Sequence, residues 1–396
     1  MYDLILKGGT VVDPSSNRNG LLDVAIEDGN IARIAPDIID ESRRVINVEG
    51  KTVTPGLIDM HTHVFAGVNQ GEMHPDDVGV YAGVTTLADA GTGSSTIRIF
   101  PKYVTPQCHT EIFAFMHICQ AGTLNLRELI GPDVINVDNA VRAIEDCRDL
   151  VCGIKTRMVA PLLEAYGMDA LRLAKQAARE GGVKLMVHIG DTEKRWPAEV
   201  IREMLPLLDP GDIITHLFTP NPGGVLDADL KVVPEAIEAR DRGIILDSAH
   251  GRMNFSFEVG QRVVEQGLLP DCISTDISAV GRVFPVHSMV EMMTRFLALG
   301  FTLEQVITMS TTNPARAMGQ EHRLGSLQEG RQADVSVIDV RDGDWIVHDM
   351  VGGTLPAKKA IVPVLAVKRG QTFSPEWGPH PWGWEPESAP GPRSLP

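Results

Sequence analysis

Several features are missing from this 396-residue chain. No apolar run approaches the roughly 18 residues that a membrane helix needs. The N-terminal MYDLILKGGTVVDP carries Asp3 early and turns polar by Lys7, so it has neither the basic start nor the apolar stretch of a secretory leader. Cysteine is scarce. Cys108, Cys119, Cys147, Cys152 and Cys272 include no C-x-x-C pair, which excludes a zinc-ribbon pattern and suits thiols buried as small hydrophobes in a reducing compartment. Basic charge is short as well, 36 Lys and Arg against 52 Asp and Glu. The resulting formal charge of −16 argues against nucleic acid or an anionic membrane as partner. A cytoplasmic protein is expected. With 43% hydrophobic and 22% charged residues the composition is globular, and the length suits about two or three domains.

The first 53 residues read as short β-rich runs, DLILKGGTVVD, LLDVAIEDGNIARIA and RRVINVEGKTVTPG, with a hairpin turn at Asp28 to Asn30. Beyond Pro55 apolar runs alternate with helical segments, the signature of βα units. Eight candidate strands follow: LIDMHTHV, VTTLADAG, TEIFAFMHI, GIKTRMVA, KLMVHIG, DIITHLF, GIILDSAH and CISTDIS. AVRAIEDCRDL, DALRLAKQAAREGG and VPEAIEARDRG read as helices between them, and one more is expected around Leu303 to Met318. The expected fold is a (β/α)₈ barrel over 54–320 with a small β-sandwich domain built from both termini, 1–53 and 321–372. Residues 373–396 form a Pro- and Trp-rich tail whose three tryptophans would pack on the body or on a neighbouring subunit, and a homo-oligomer is expected.

TPGLIDMHTH places His61 and His63 one residue apart at the end of an apolar run, where alternate residues share a face of a strand. Such a pair fits a metal site or a half-buried strand equally well. Reading the other strand ends changes the balance. Lys155 stands in the fourth run, His188 in the fifth, His216 in the sixth and Asp276 in the eighth, all at the face where this fold carries its sites. Four histidines and a carboxylate suit zinc, or else manganese, cobalt or iron. An ammonium at Lys155 would be repelled by two cations. Either it forms a salt bridge, or its amine has taken up carbon dioxide as a carbamate, whose two oxygens can bridge two metals.

This set of residues resembles the amidohydrolase superfamily in its two-metal, carboxylated-lysine form. GVTTLADAG, TTNPARAMG and LGSLQEGRQADVSVIDV agree, and the likeness spans about residues 1 to 370. It implies that His61, His63 and Asp276 hold one metal and His188 and His216 the other, with carboxylated Lys155 and a hydroxide between them. Asp276 would carry the proton to the leaving group. AHGRMNFSF and TDISAVGRVFPVHSMVEMMTRFLALG resemble a dihydroorotase-like group of amidohydrolases or deacetylases. Dihydroorotases place Arg two residues after the second histidine, where Phe65 stands here. Hydantoinases place Tyr shortly after the lysine, where this chain reads TRMVAP. Deaminases of adenine and cytosine use other ligand patterns.

Hydrolysis of an amide or ester of a small acyl compound is therefore expected, an N-acyl amino acid or O-acyl hydroxy acid. The alternatives are ring opening of a cyclic amide and a catalytically inactive binding relative. A substrate carboxylate would meet Arg157, Arg252 or Arg282. His250 would touch substrate or brace its loop, while His74 and His287 are expected to face solvent.

Overall fold

The computed structural model describes residues 1–68, 71–124 and 133–375, with Val283 described for its backbone alone. The expected tail beyond Pro375, with its three tryptophans, lies outside them. Two sheets of eight strands account for the strand-forming runs.

The N-terminal strands are β1 (Leu4–Asp13), β2 (Arg18–Glu27), β3 (Asn30–Ala35), β4 (Val45–Asn47) and β5 (Thr52–Pro55). Asp28 and Gly29, at φ 49° and 73°, make the two-residue turn between β2 and β3, a mirror-image turn whose twist matches the flanking strands. The barrel strands are β6 (Leu57–Thr62), β7 (Val84–Asp89), β8 (Glu111–His117), β9 (Val151–Arg157), β10 (Lys184–His188), β11 (Ile213–Thr215), β12 (Ile245–Ala249) and β13 (Cys272–Ser274). They pair in parallel and in sequence order, and all eight coincide with the expected runs. The chain then returns to the first sheet through β14 (Val335–His348), β15 (Thr354–Lys368) and β16 (Gln371–Phe373).

Being buried on both faces, barrel strands read as nearly continuous apolar runs. Each helix supplies the outer cover. Asp169–Gly181 buries Ala170, Ala174, Ala177 and Ala178, and left-handed Gly182 ends it, as a Gly after the last turn should. The helix expected over 303–318 is two, Leu303–Ser310 and Thr312–Ala317. The break falls at Thr311, whose hydroxyl bonds back to the Ile307 carbonyl, and Pro314 has no N–H to continue the ladder. One apolar cluster contains residues of all eight barrel strands, among them Ile58, Phe115, Met186 and Cys272, and such residues meet only inside the barrel.

The first sheet runs β16-β15-β14-β5-β1-β2-β3, with β4 beside β1. Val24, Ile31, Val337 and Val367, from distant points of that path, share one core, so the sheet folds over itself. Its long hairpin also covers the barrel: the Ile361 amide donates to Thr294 Oγ1 of the helix Met289–Ala298. No helix among the described residues is long and apolar enough to cross a membrane.

Lys368 joins the sheets at the barrel's lower end. Its ammonium is 4% exposed, 2.6 Å from Asp334, and paired also with Glu111 at the start of β8. Burial would raise Glu111, but Lys368 and Arg323 pull it down to about 2. Because the folded value lies below the ordinary one, this contribution to stability is complete above about pH 4.5 and fades as pH falls toward 2. Lys368→Met should cost roughly 3 kcal/mol by leaving buried carboxylates short of a partner. Urea unfolding at neutral pH measures this, and a loss below about 1 kcal/mol would place the pair among the screened surface pairs.

Candidate metal centre

Each expected ligand stands at or just past the C-terminal end of a barrel strand. His61 lies one residue before the end of β6 and His63 just after it, Lys155 sits in β9, and His188 closes β10. His216 follows β11 and Asp276 follows β13, both in the left-handed region at φ 76° and 52°. Non-glycine residues rarely accept that conformation, and it persists where the surroundings enforce it.

These side chains converge. Lys155 Nζ is 2.9 Å from His61 Nε2, and His63 Nε2 is 2.9 Å from Asp276 Oδ1. His61 Nε2 lies 3.4 Å from Asp276 Oδ1 and His216 Nε2 lies 3.9 Å from Oδ2. The His188 and His216 rings are 4.2 Å apart. Their neighbours orient the imidazoles. The Thr215 hydroxyl donates to Asp247 at 2.6 Å, so its oxygen accepts from His61 Nδ1 at 2.9 Å. His216 Nδ1 donates to the Ala249 carbonyl at 3.0 Å. Both rings are thereby held with Nε2 unprotonated, the form a metal requires.

Electrostatics agree. Burial, with Lys155 close by, holds His61 well below the usual histidine range. Burial and His216 do the same to His188, and burial pushes His216 to about 3. Burial alone would raise Asp276, yet His61, His63 and His216 hold it well below the carboxylate range. The result is neutral imidazoles at His61, His188 and His216 beside an ionised carboxylate, whereas at His63 burial is outweighed by the hydrogen-bonded Asp276, which raises the imidazole. His188 Nε2 and His216 Nε2 are buried with no hydrogen-bond partner among the described residues, a cost that a cation would remove. With ligand atoms of His61, His216 and Asp276 within 4.8 Å of one another, the residues fit a divalent ion.

The centre opens into a cavity of ≈ 340 Å³ lined by His61, His63, Lys155, His188 and Asp276, with Arg157 and Arg252 in its wall. Arg282 is not in that wall. It stands in the short helix Ala279–Val283, and its guanidinium lies 3.9 Å from Asp77. His250 also misses the cavity: it is buried, stacks on Phe255 at 4.4 Å and donates from Nδ1 to the Gly251 carbonyl, so it braces the loop. His287 is buried, contrary to a solvent-facing role, because its ring bonds to the Arg282 carbonyl and its amide donates to Glu291 of the helix Met289–Ala298. His74 is exposed and caps the helix Pro75–Val78. Phe65 is buried and stacked on Phe100.

Glu72 is a cavity residue that the strand-end reading missed. It accepts hydrogen bonds from the Phe65 amide and the Thr123 hydroxyl, while burial and Asp89 push it up to about 7. Nothing in GEMHP marks it. Asp59 and Asp247 were also missed, although an acid inside a buried run is a usable signal. Burial raises them to about 7 and about 6, and both are bonded to neighbouring hydroxyls.

Two models of the amidohydrolase family match, over residues 44–148 and 257–362. A deacetylase of Enterococcus faecalis (strain ATCC 700802 / V583) is 32% identical over 378 residues, which are 94% of this chain and 99% of that protein. Among solved structures, one described as an adenine deaminase has a TM-score of 0.88 at 31% identity, covering 94% of this chain and 100% of its own. Another, described as a dihydroorotase, has a TM-score of 0.84 at 28% identity and covers 94% and 99%. The chain belongs to the amidohydrolase family, as a metal-dependent hydrolase of its dihydroorotase-like branch.

Proposed function

We propose that the protein removes an acyl group from a small carboxylate-bearing compound, an N-acyl amino acid or O-acyl hydroxy acid, at a two-metal centre. The observation that carries this reading is Lys155. It is 1% exposed, its Nζ is 2.9 Å from His61 Nε2, and it shares the cavity with His63, His188 and Asp276. A permanent ammonium there would repel cations at close range. A carbamate formed with carbon dioxide would instead be an anion able to join two ions, most suitably zinc, with manganese, cobalt or iron as alternatives.

His61, His63 and Asp276 would hold one ion, His188 and His216 the other, and carboxylated Lys155 both. When bound, such ions lower the pKa of a water and polarise the carbonyl it attacks. Asp276 would accept the proton of the attacking water and pass it to the departing nitrogen or oxygen. Arg157 and Arg252 in the cavity wall would take the substrate carboxylate, and Arg157 stands two residues beyond Lys155 on the same strand. Phe65, sealed in an aromatic stack, leaves the cavity without the arginine of a dihydroorotase, which favours a linear substrate. Relatives bearing the name deacetylase point the same way.

Elemental analysis should find two divalent ions per chain, with one lost on replacing His188 or His216 and the other on replacing His61 or His63. Lys155→Ala should lose both metal and turnover; a metal-replete, active alanine variant would refute the carbamate.

Asp276→Asn should keep much of the metal, since an amide oxygen still ligates, yet lose turnover for want of a proton acceptor. Turnover within about tenfold of wild type, only ~1.4 kcal/mol of barrier, would remove Asp276 from that role.

Substrate choice is tested with acyl acids against their methyl esters, with dihydroorotate, hydantoin and adenine as controls. Neutralising the remote carboxylate should lower kcat/KM, and Arg157→Ala or Arg252→Ala should erase the difference. A ring compound or adenine outperforming every linear acyl acid would overturn the substrate class.

A further inference from the structure

Asp276 makes contact with His61, His63 and His216 at once, and its place depends on a neighbour that has no side chain. Gly251, two residues beyond β12, is buried and left-handed at φ 56°. Its amide donates to the Thr275 carbonyl at 2.9 Å, which fastens it beside the residue preceding Asp276. A Cβ built on Gly251 would lie 2.1 Å from Asp276 Oδ2 and 3.0 Å from its Cγ. No real contact is so short, so any side chain there must displace the carboxylate. Other features leave Asp276 little room to yield. Its amide donates to the His61 carbonyl at 2.7 Å, and Thr275 is bonded to Asp59 through both its amide and its hydroxyl.

We infer that Gly251 is the positioning residue for Asp276: its missing side chain is the space that the carboxylate occupies. This rests on the reading of Asp276 as proton carrier only for its effect on turnover, since the steric part holds whatever Asp276 does. A methyl at 251 would push Oδ2 away and break the three-histidine contact. Misplacement of a reacting group by about 1 Å can cost on the order of a hundredfold in rate.

The control lies in the same chain. Gly267 is left-handed at φ 81°, yet a Cβ on it would meet nothing within 4 Å. Gly267→Ala therefore carries the backbone penalty of alanine at positive φ without the clash. Full-length Gly251→Ala, Gly267→Ala, Asp276→Ala and the double variant Gly251→Ala/Asp276→Ala are compared by thermal unfolding, metal-loaded and after chelation, and by steady-state kinetics. Gly251→Ala should lower Tm more than Gly267→Ala, and with Asp276→Ala present the excess should vanish because the methyl then has room. Its kcat should fall by about a hundredfold with KM little changed, while Gly267→Ala keeps wild-type kcat. If Gly251→Ala does not fold, a folded double variant supports the inference and an unfolded one refutes it. The same Tm penalty in both backgrounds also overturns it. Thermal coupling without a loss of kcat would instead refute the proton-carrier role of Asp276 and leave the packing intact.

Discussion

The seam where the last barrel strand meets the first is the constraint on which the site depends. There the Asp276 amide donates to the His61 carbonyl and the His63 amide to the Ile277 carbonyl. Asp276, His61 and His63 then bring their side chains together, Asp276 Oδ1 lying 2.9 Å from His63 and 3.4 Å from His61. Closing the barrel and assembling the centre are therefore one event. Long-range parallel pairing must be in register before any of these groups meet.

A layer of buried polar residues beneath the seam holds that register. Asp59 receives the Thr275 hydroxyl and amide, and Asp247 receives Thr215 and Ser274. Burying these carboxylates is unfavourable, as the upward displacement of both from the ordinary range indicates. Hydrogen bonds offset part of the cost and in return fix the tautomer of His61. Below this layer the packing is apolar, and Lys155 rises through it with Nζ 3.5 Å from the Met186 sulfur. The second sheet contributes at a distance. Lys368 ties it to the base of β8, and its long hairpin covers the helix Met289–Ala298, so the loops after β13 rest on a braced support.

The chain alone determined the eight barrel strands and the residues that meet at their ends. Strand ends are legible because apolar runs are local, and a residue closing such a run is carried to the rim by the backbone itself. His61, Lys155, His188, His216 and Asp276 come together for that reason, and it needs no knowledge of any loop. The helix expected at 303–318 failed in part for a local cause as well, the back-bonding hydroxyl of Thr311.

What lies in the loops was decided by the tertiary structure. Glu72 enters the cavity because the Phe65 amide and the Thr123 hydroxyl capture it, and Thr123 is 51 positions away in the chain. Arg282 leaves the cavity for Asp77, His250 turns under its own loop to stack on Phe255, and His287 is buried against the helix that follows. The meaning of Gly251 is likewise hidden in the chain, since only the folded barrel brings the Asp276 carboxylate to the point its side chain would fill. Such placements depend on contacts between segments far apart in the chain, and no local pattern of apolar and polar residues encodes them.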